Sequence, residues 1–377
     1  MRKVAVVFGG RSCENEISVL TGVFALNVLD RAAYLLLPVY VHTDGGCYTS
    51  SKMFSVDAFR ENEVKNFQPI FFDKGTVYAL NEKKGRIKPL FHPDVILNCC
   101  HGGIGEGGGV SALAEWNKIP LASPDIAPSA IFMDKCLTKV VLRGLNIPIV
   151  DYIRVNERDY RKRGAFLLKR IETRLKYPVI IKPAHLGSSI GISLANNEDE
   201  AKMAIETAFQ LDERILIEKY LPGKIDVNCA AYSLNGEIFV SEPECAFGGG
   251  VYSFEEKYVK RRTDGGRGKG GMDKNRKGMY ALKGELREKI RAYTRTVYKR
   301  MDFKGVVRMD FLVSGDVVYL CEVNTVPGSL AYYLFCERVT DARSFFSALI
   351  EDTIKNGEKE KKILSTGILR TVSAQRK

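Results

Sequence analysis

The 377-residue sequence predicts a mixed α/β and α+β protein of three domains, on three observations. It opens with an apolar run ending at Gly9-Gly10, then a helical pattern, then a second apolar run, which is a β-α-β signature. Glycine-rich turns follow two early strands, as in parallel sheets that bind ligands at their carboxyl edge. Toward the other end, two β-rich runs flank a Ser314-Gly315-Asp316 turn, the pattern of an antiparallel hairpin.

In order, KVAVVF (3–8) reads as a strand, about Glu14 to Leu29 as a helix, and YLLLPVYVH (34–42) as a strand. Residues 43–92 are less regular, with Gly45-Gly46 and polar turns. DVILNCC (94–100) is again strand-like and runs into HGGIGEGGG (101–109) and a helix to about Trp116, so a first domain is expected over 1–122. In a second domain, 123–222, Asp134-Lys135 opens a helix through Leu145, and YPVIIKPA (177–184) is a strand that SSIGISLA continues after a turn. The helix in NNEDEAKMAIETAFQLD begins at an asparagine cap followed by acids, and RILIEKYL (214–221) closes the unit. The third domain, 223–377, holds the strand IDVNCAAYSL, a turn at Asn235-Gly236 and the strand EIFVSEPEC. A basic loop over 257–277, a helix near 283–301, the hairpin and a helix near 341–356 complete it.

A hydrophobic fraction of 45% and a charged fraction of 27% are those of a soluble globular protein. The 9 cysteines form no CxxC pair and the 4 histidines lie far apart, so no zinc site is expected. Thiols embedded in strands point to a reducing compartment, and no 18-residue apolar run exists to span a membrane. The expected location is the cytoplasm, with no membrane partner. The net charge of +12 is concentrated in two segments. Residues 257–277 carry nine Lys/Arg against two Asp, and residues 355–377 carry seven against two Glu. Basic residues in a glycine-rich loop and a tail, rather than on a folded face with interleaved aromatics, argue against nucleic acid and for an anionic small molecule.

The hairpin carries the sharpest chemical signal. Arg308 and Asp310 share one face of a strand, as do Glu322 and Asn324. If the strands pair at the turn, two carboxylates, an amide and a guanidinium converge. Such oxygen donors suit Mg²⁺ with substrate phosphates, and the arginine suits a transferring phosphoryl group or an oxyanion. Lys182 ends a strand that leads into a loop with Gly187, Ser188, Ser189 and Gly191, a composition that lets backbone N–H groups approach a phosphate. Lys135 at a helix start is a second candidate for an anion. Backbone groups around Glu218, Lys219 and Leu221 could meet an adenine edge.

The ordered set GGRSCENEIS (9–18), HGGIGEGG (101–108), KPAHLGSSIGIS (182–193), IEKYLPG (217–223), EEKY (255–258), VRMDF (307–311) and CEVNTVPG (321–328) resembles the D-alanine–D-alanine ligases of the ATP-grasp superfamily. The resemblance implies an ATP-grasp fold, with ATP held between the central and C-terminal domains. Activity would be the joining of two D-alanines through an acyl phosphate, with the protein working as a homodimer. It further implies that Lys135 and Lys182 contact ATP phosphates, together with Ser189 and Lys257, that Glu218, Lys219 and Leu221 lie at the adenine, and that Asp226 lies at the ribose. Asp310, Glu322 and Asn324 would hold two Mg²⁺ ions, with Mn²⁺ able to substitute. Glu14 would bind the first substrate's ammonium, Ser188 and Tyr258 would link substrate site to lid, and Arg308 with the backbone of Gly328 would stabilise an oxyanion.

Three positions depart from the family pattern. Gly107 stands where an aspartate is usual, Tyr333 where the family offers a small hydroxyl residue to the second substrate, and 257–277 is an unusually basic, glycine-rich lid. These departures keep open a ligase with a different acceptor amino or hydroxy acid, and a nucleotide-binding paralogue without turnover.

Overall fold

The computed structural model describes residues 1–61, 64–245, 282, 284–357, 366 and 368. The basic segment 257–277, with Lys257 and Tyr258, lies outside them.

Three sheets organise the described chain. The first contains β1 (Arg2–Gly9), which α1 (Asn15–Val28) joins to β2 (Tyr34–Val41). β1 pairs in parallel with β2 on one side and β7 (Val95–Asn98) on the other. Val4 to Phe8 of β1 are fully buried, which is why the strand reads as an unbroken apolar run. The stretch 43–92, read as irregular, contains four strands: β3 (Cys47–Thr49), β4 (Gln68–Asp73), β5 (Thr76–Asn81) and β6 (Arg86–Phe91). They extend the sheet antiparallel from β2 to an outer edge. All of β6 except Phe91 is exposed, so no apolar alternation marked it in the sequence. α2 (Val110–Trp116) follows β7 after a glycine-rich turn.

Next come α3 (Ile126–Met133) and α4 (Lys135–Gly144). Asp134 caps α4 by accepting the N–H groups of Cys136 at 2.7 Å and Leu137 at 3.1 Å. Sequence grouped this segment with the second unit. In the structure it is wedged between two units, because Phe132 and Leu142 enter the third sheet's core while Cys136 packs on Ala184 and Leu216 of the second.

The second sheet is antiparallel throughout. It comprises β8 (Tyr152–Asn156), β9 (Val179–Pro183), β10 (Ser193–Ala195) and β11 (Arg214–Lys219), in the order β10-β9-β11-β8. One face is covered by α5 (Glu157–Arg170) and α6 (Glu198–Phe209), through Leu167, Ala201 and Ile205 against Ile153, Val179 and Ile217. The Asn197 side chain caps α6 by accepting the Glu200 N–H, as the sequence indicated.

The third sheet holds β12 (Ile225–Leu234), β13 (Glu237–Val240), β14 (Glu244–Cys245), β15 (Val306–Ser314) and β16 (Val317–Asn324). β15 lies between β12 and β16, all antiparallel. Ile290, Val297 and Tyr298 of α7 (Gly284–Arg300) pack into its core. The C-terminal α8 (Ala342–Lys355) instead shares a core with the first unit, where Phe345, Phe346 and Ile350 join Val4, Leu26 and Val95. That shared core holds the first and third units against each other. Among the described residues no helix is long and apolar enough to cross a membrane.

Candidate active site

The hairpin register puts Arg308 opposite Asn324 and Asp310 opposite Glu322. The four side chains therefore share one face, as strand alternation requires. Arg308 grips Asp310 through two parallel bonds, Nε to Oδ1 at 2.7 Å and Nη2 to Oδ2 at 2.9 Å. Asn324 donates Nδ2–H to Asp310 Oδ2 at 3.1 Å. The remaining Arg308 nitrogen, Nη1, donates to the Tyr333 hydroxyl at 3.1 Å.

Across from the hairpin stands α4. Residues four apart on a helix share a face, so Lys135 and Lys139 point the same way. Lys135 Nζ lies 2.8 Å from Glu322 Oε1 and donates to the Leu186 carbonyl at 2.6 Å. Lys139 Nζ lies 2.5 Å from Glu218 Oε1. The other Glu218 oxygen pairs with Lys182, whose Nζ also lies 3.7 Å from Cys321 Sγ, next to Glu322. Burial works to raise the Glu218 carboxyl, but Lys139 and Lys182 overcome it and hold the group down at about 2.

The loop after β9 completes this wall opposite the hairpin. Ser188 and Ser189 adopt left-handed backbone with φ of 52° and 62°, which costs non-glycine residues and is kept where the surroundings enforce it. Ser188 Oγ donates to Glu14 Oε1, joining the second unit to the start of α1. A Cβ on Gly187 would sit 2.6 Å from Glu14 Oε2, and one on Gly102 at the same 2.6 Å, so two glycines make the slot that holds this carboxylate. His185 anchors the loop's other end. Its backbone N–H donates to Asp212 Oδ2 at 2.8 Å, its ring Nδ1 lies 3.0 Å from the same carboxylate, and its Nε2 lies 3.5 Å from Asp134, the cap of α4. Hydrogen bonds to Asp134 and Asp212 push the imidazole up to about 9.

Glu106 ties the first unit to the third. It accepts the Gly102 N–H at 2.8 Å and the Val326 N–H at 3.1 Å, and burial pushes it up to about 7. His101 is held down at about 4 by burial, and its Nε2 lies 2.8 Å from Thr21 Oγ1.

Glu14, Lys135, Ser188, Arg308, Asp310, Glu322, Asn324 and Gly328 line one cavity where the three units meet. Lys182 and Glu218 adjoin it through Cys321. Several residues singled out by sequence stand elsewhere. The Lys219 side chain is exposed at the last position of β11, past the buried Glu218, and its N–H is taken by the Asp151 carbonyl at 3.0 Å. Asp226 lies on β12 opposite Leu312, paired with Lys224 at 2.5 Å and outside the cavity lining. Leu221 is half-buried just past β11, and Ser189 follows the cavity-lining Ser188. Sequence reasoning missed Lys139, His185, His101 and Glu106. The Lys135-to-Lys139 spacing was a readable signal, and the other three lay inside quoted motifs with nothing in the sequence to report their burial.

As a metal site the donors are two carboxylates and an amide. Among the described residues no group of three His, Cys, Asp or Glu side chains could hold a metal. A set this small leaves coordination positions for phosphate oxygens and water, which fits Mg²⁺ arriving with a nucleotide.

Comparison with known proteins agrees with the geometry. Residues 3–124 match the family described as D-ala D-ala ligase N-terminus, and residues 141–355 match D-ala D-ala ligase C-terminus. A D-alanine–D-alanine ligase of Clostridium acetobutylicum is 31% identical over 362 residues, covering 94% of this chain and 97% of the relative. One from Thermosipho africanus is 30% identical over 343 residues, covering 89% and 88%. The crystal structure of D-Alanine-D-Alanine Ligase from Helicobacter pylori superposes with a TM-score of 0.74 at 24% identity, over 96% of this chain and 100% of that one. VanG D-Ala:D-Ser Ligase from Enterococcus faecalis gives 0.70 at 22%, over 94% and 98%. The chain belongs to the D-Ala–D-Ala ligase family, and its fold is the three-unit ATP-grasp architecture.

Proposed function

We propose that this chain is an ATP-dependent ligase that joins two molecules of D-alanine, releasing ADP and phosphate. One observation carries the reading: the Glu14–Ser188 pair and the Arg308–Asp310–Glu322–Asn324 face line a single cavity. Glu14 receives the ammonium of the first D-alanine. The carboxylate of that substrate attacks the γ-phosphorus of ATP, giving an acyl phosphate and ADP. Lys135 and Lys182 offset charge on the phosphates, and Asp310, Glu322 and Asn324 are the residues that hold Mg²⁺. The metal, or Mn²⁺ in its stead, supplies charge neutralisation when bound. The amine of the second D-alanine then attacks the acyl carbon and expels phosphate, with Arg308 and the Gly328 N–H stabilising the oxyanion.

Glu218, with the backbone of Lys219 and Leu221, takes the adenine, Asp226 the ribose, and Ser189 a phosphate. Lys257 and Tyr258 keep the phosphate and lid roles that the resemblance implies. The proposed units divide near 122 and 222, with α3 and α4 wedged between the second and the third. Cytoplasmic location and a homodimer complete the proposal, supported by the family membership and checked by cell fractionation and light scattering. The decisive experiment couples ADP release to D-alanine and identifies the product by mass spectrometry. ADP release that requires D-alanine and yields the dipeptide supports the reading. ATP binding without D-alanine-dependent turnover would replace it with a nucleotide-binding paralogue.

A further inference from the structure

Glu218 is a single carboxylate shared by two buried ammonium groups. Lys139 is fully buried, Glu218 and Lys182 nearly so, and the three come from α4, β11 and β9. On the second sheet Leu216 is the cross-strand partner of Lys182, so Lys182 and Glu218 are diagonal neighbours on one face. Lys139 reaches the same carboxylate from above, one helical turn along from Lys135. Its contact with Glu218 is short but off hydrogen-bond geometry, and among the described residues neither Lys139 Nζ nor Glu218 Oε1 has a directed hydrogen bond. Buried charges are ordinarily matched one to one, because each uncompensated charge is costly to desolvate. Here two positive groups meet one negative group beside Cys321 and Glu322.

We propose that Lys139 is a positioning residue for the nucleotide: by occupying half of Glu218 it prevents a closed Lys182–Glu218 pair and leaves one positive charge at the second sheet for a polyphosphate. The inference rests on the proposed binding of ATP at this site and deepens it. Lys182 alone on Glu218 would be neutralised and its ammonium drawn away from the phosphates. With Lys139 on the other oxygen, the trio carries a net charge of +1. The excess is tolerated because a phosphate group completes it. Lys135 is engaged separately by Glu322 and the Leu186 carbonyl, so it does not supply this charge.

Charge can be separated from adenine recognition by using inorganic tripolyphosphate, which has no base, as a competitor of ATP at fixed Mg²⁺. In Lys139→Met the trio falls to zero charge. The inhibition constant of tripolyphosphate should rise about tenfold or more, with KM for ATP rising and KM for D-alanine unchanged. In the Lys139→Met, Glu218→Gln double variant the charge returns to +1. Tripolyphosphate should then bind within about threefold of wild type, although ATP, deprived of the Glu218 carboxylate, need not. A purely structural lysine would not be rescued by removing its partner. If Lys139→Met does not fold, Glu218→Gln alone still decides, since it should bind tripolyphosphate at least as tightly as wild type. Unchanged tripolyphosphate inhibition in Lys139→Met, a double variant as weak as the single, or weaker binding by Glu218→Gln would each overturn the inference. Wild-type protein that releases no ADP with D-alanine would defeat the proposed function instead, whatever the tripolyphosphate results.

Discussion

The two walls of the cavity are built on different principles. On the hairpin wall, β15 and β16 set every position by register, and Arg308, Asp310 and Asn324 find their partners on the same or the adjacent strand. On the opposite wall, the groups come from a helix, a strand and a left-handed loop, and each pairing crosses between elements far apart in sequence. Lys135 meets Glu322, Lys139 meets Glu218, and His185 meets Asp134 and Asp212. A register-built wall is stiff and suits stabilisation of charge in the transition state. A wall assembled from cross-contacts depends on how the units sit together, and suits binding and closure. Substitutions on the first wall should therefore lower kcat at constant fold, while those on the second should change KM, stability or pH response.

The largest effect is expected on the hairpin. Glu322→Gln removes one carboxylate charge where phosphoryl charge moves, and should lower kcat by about 100- to 1000-fold. Its side chain is only partly buried, so the melting temperature should barely change. ADP release at wild-type rate under saturating Mg²⁺ would show that this wall does not carry the chemistry.

Glu14 tests the other wall's substrate end. Its carboxylate is held by Ser188 and packed between Gly102 and Gly187, so Glu14→Gln preserves shape and removes charge. The apparent KM for the first D-alanine should rise about tenfold or more, with KM for ATP little changed. A loss concentrated in ATP binding would move Glu14 out of the substrate site.

The contrast between the walls also explains what could be read beforehand. Arg308, Asp310, Glu322 and Asn324 were legible because alternation and a turn are local properties, and a two-residue period fixes which side chains face together. The helix start at Asp134-Lys135 and the Asn197 cap were legible for the same reason. Residues 43–92 were not, since β6 is exposed on both faces and carries no apolar period. Nor was the wedged position of α3 and α4, because a helix with one face to each neighbour reads like any amphipathic helix. Lys139 shows the limit most clearly. Its spacing from Lys135 was visible, but its burial is a property of the second sheet lying over it. Asp226 and Lys219 came from family order alone: nothing local in the sequence told that Asp226 would pair with Lys224 or that the Lys219 side chain would be exposed at the end of β11.

His185 offers a pH test of the cross-contact wall. Its folded pKa of about 9 exceeds the usual value near 6.5, so the native state holds a proton that the unfolded chain gives up. The stabilisation is complete below about pH 6.5 and is lost as pH rises through about 9. The groups facing the ring are Asp212 and Asp134, the latter also paired with Arg214. With the ring partly exposed, the contribution discounted for solvent is roughly 1–2 kcal/mol. Wild type should lose a few degrees of melting temperature between pH 7 and 9.5, and KM for ATP should rise as the Ser188 loop loosens. His185→Gln should start lower at pH 7 and show neither trend. A variant with the same pH profile as wild type would assign the alkaline loss to another group.

The smallest effect is expected at Tyr333, which meets the hairpin wall through Arg308. Sequence suggested that its ring takes up room that the family gives to the second substrate. In the structure the ring packs against the core shared by the first and third units, and Tyr333 is not among the residues lining the cavity. Its hydroxyl alone reaches the site, accepting from Arg308 Nη1. Tyr333→Phe keeps the packing and removes one bond to the guanidinium, so kcat should fall by about fivefold, near 1 kcal/mol, with acceptor preference unchanged. Tyr333→Ser removes ring and bond together. If the hydroxyl alone matters, Ser matches Phe in kcat, loses more stability through the vacated core, and still ranks acceptors as wild type does. If the ring also walls the acceptor pocket, Ser raises kcat/KM for D-alanine relative to other D-amino acids and D-lactate, and Phe does not. A Ser variant that re-ranks the acceptors while Phe stays neutral would return Tyr333 to the role the sequence first suggested.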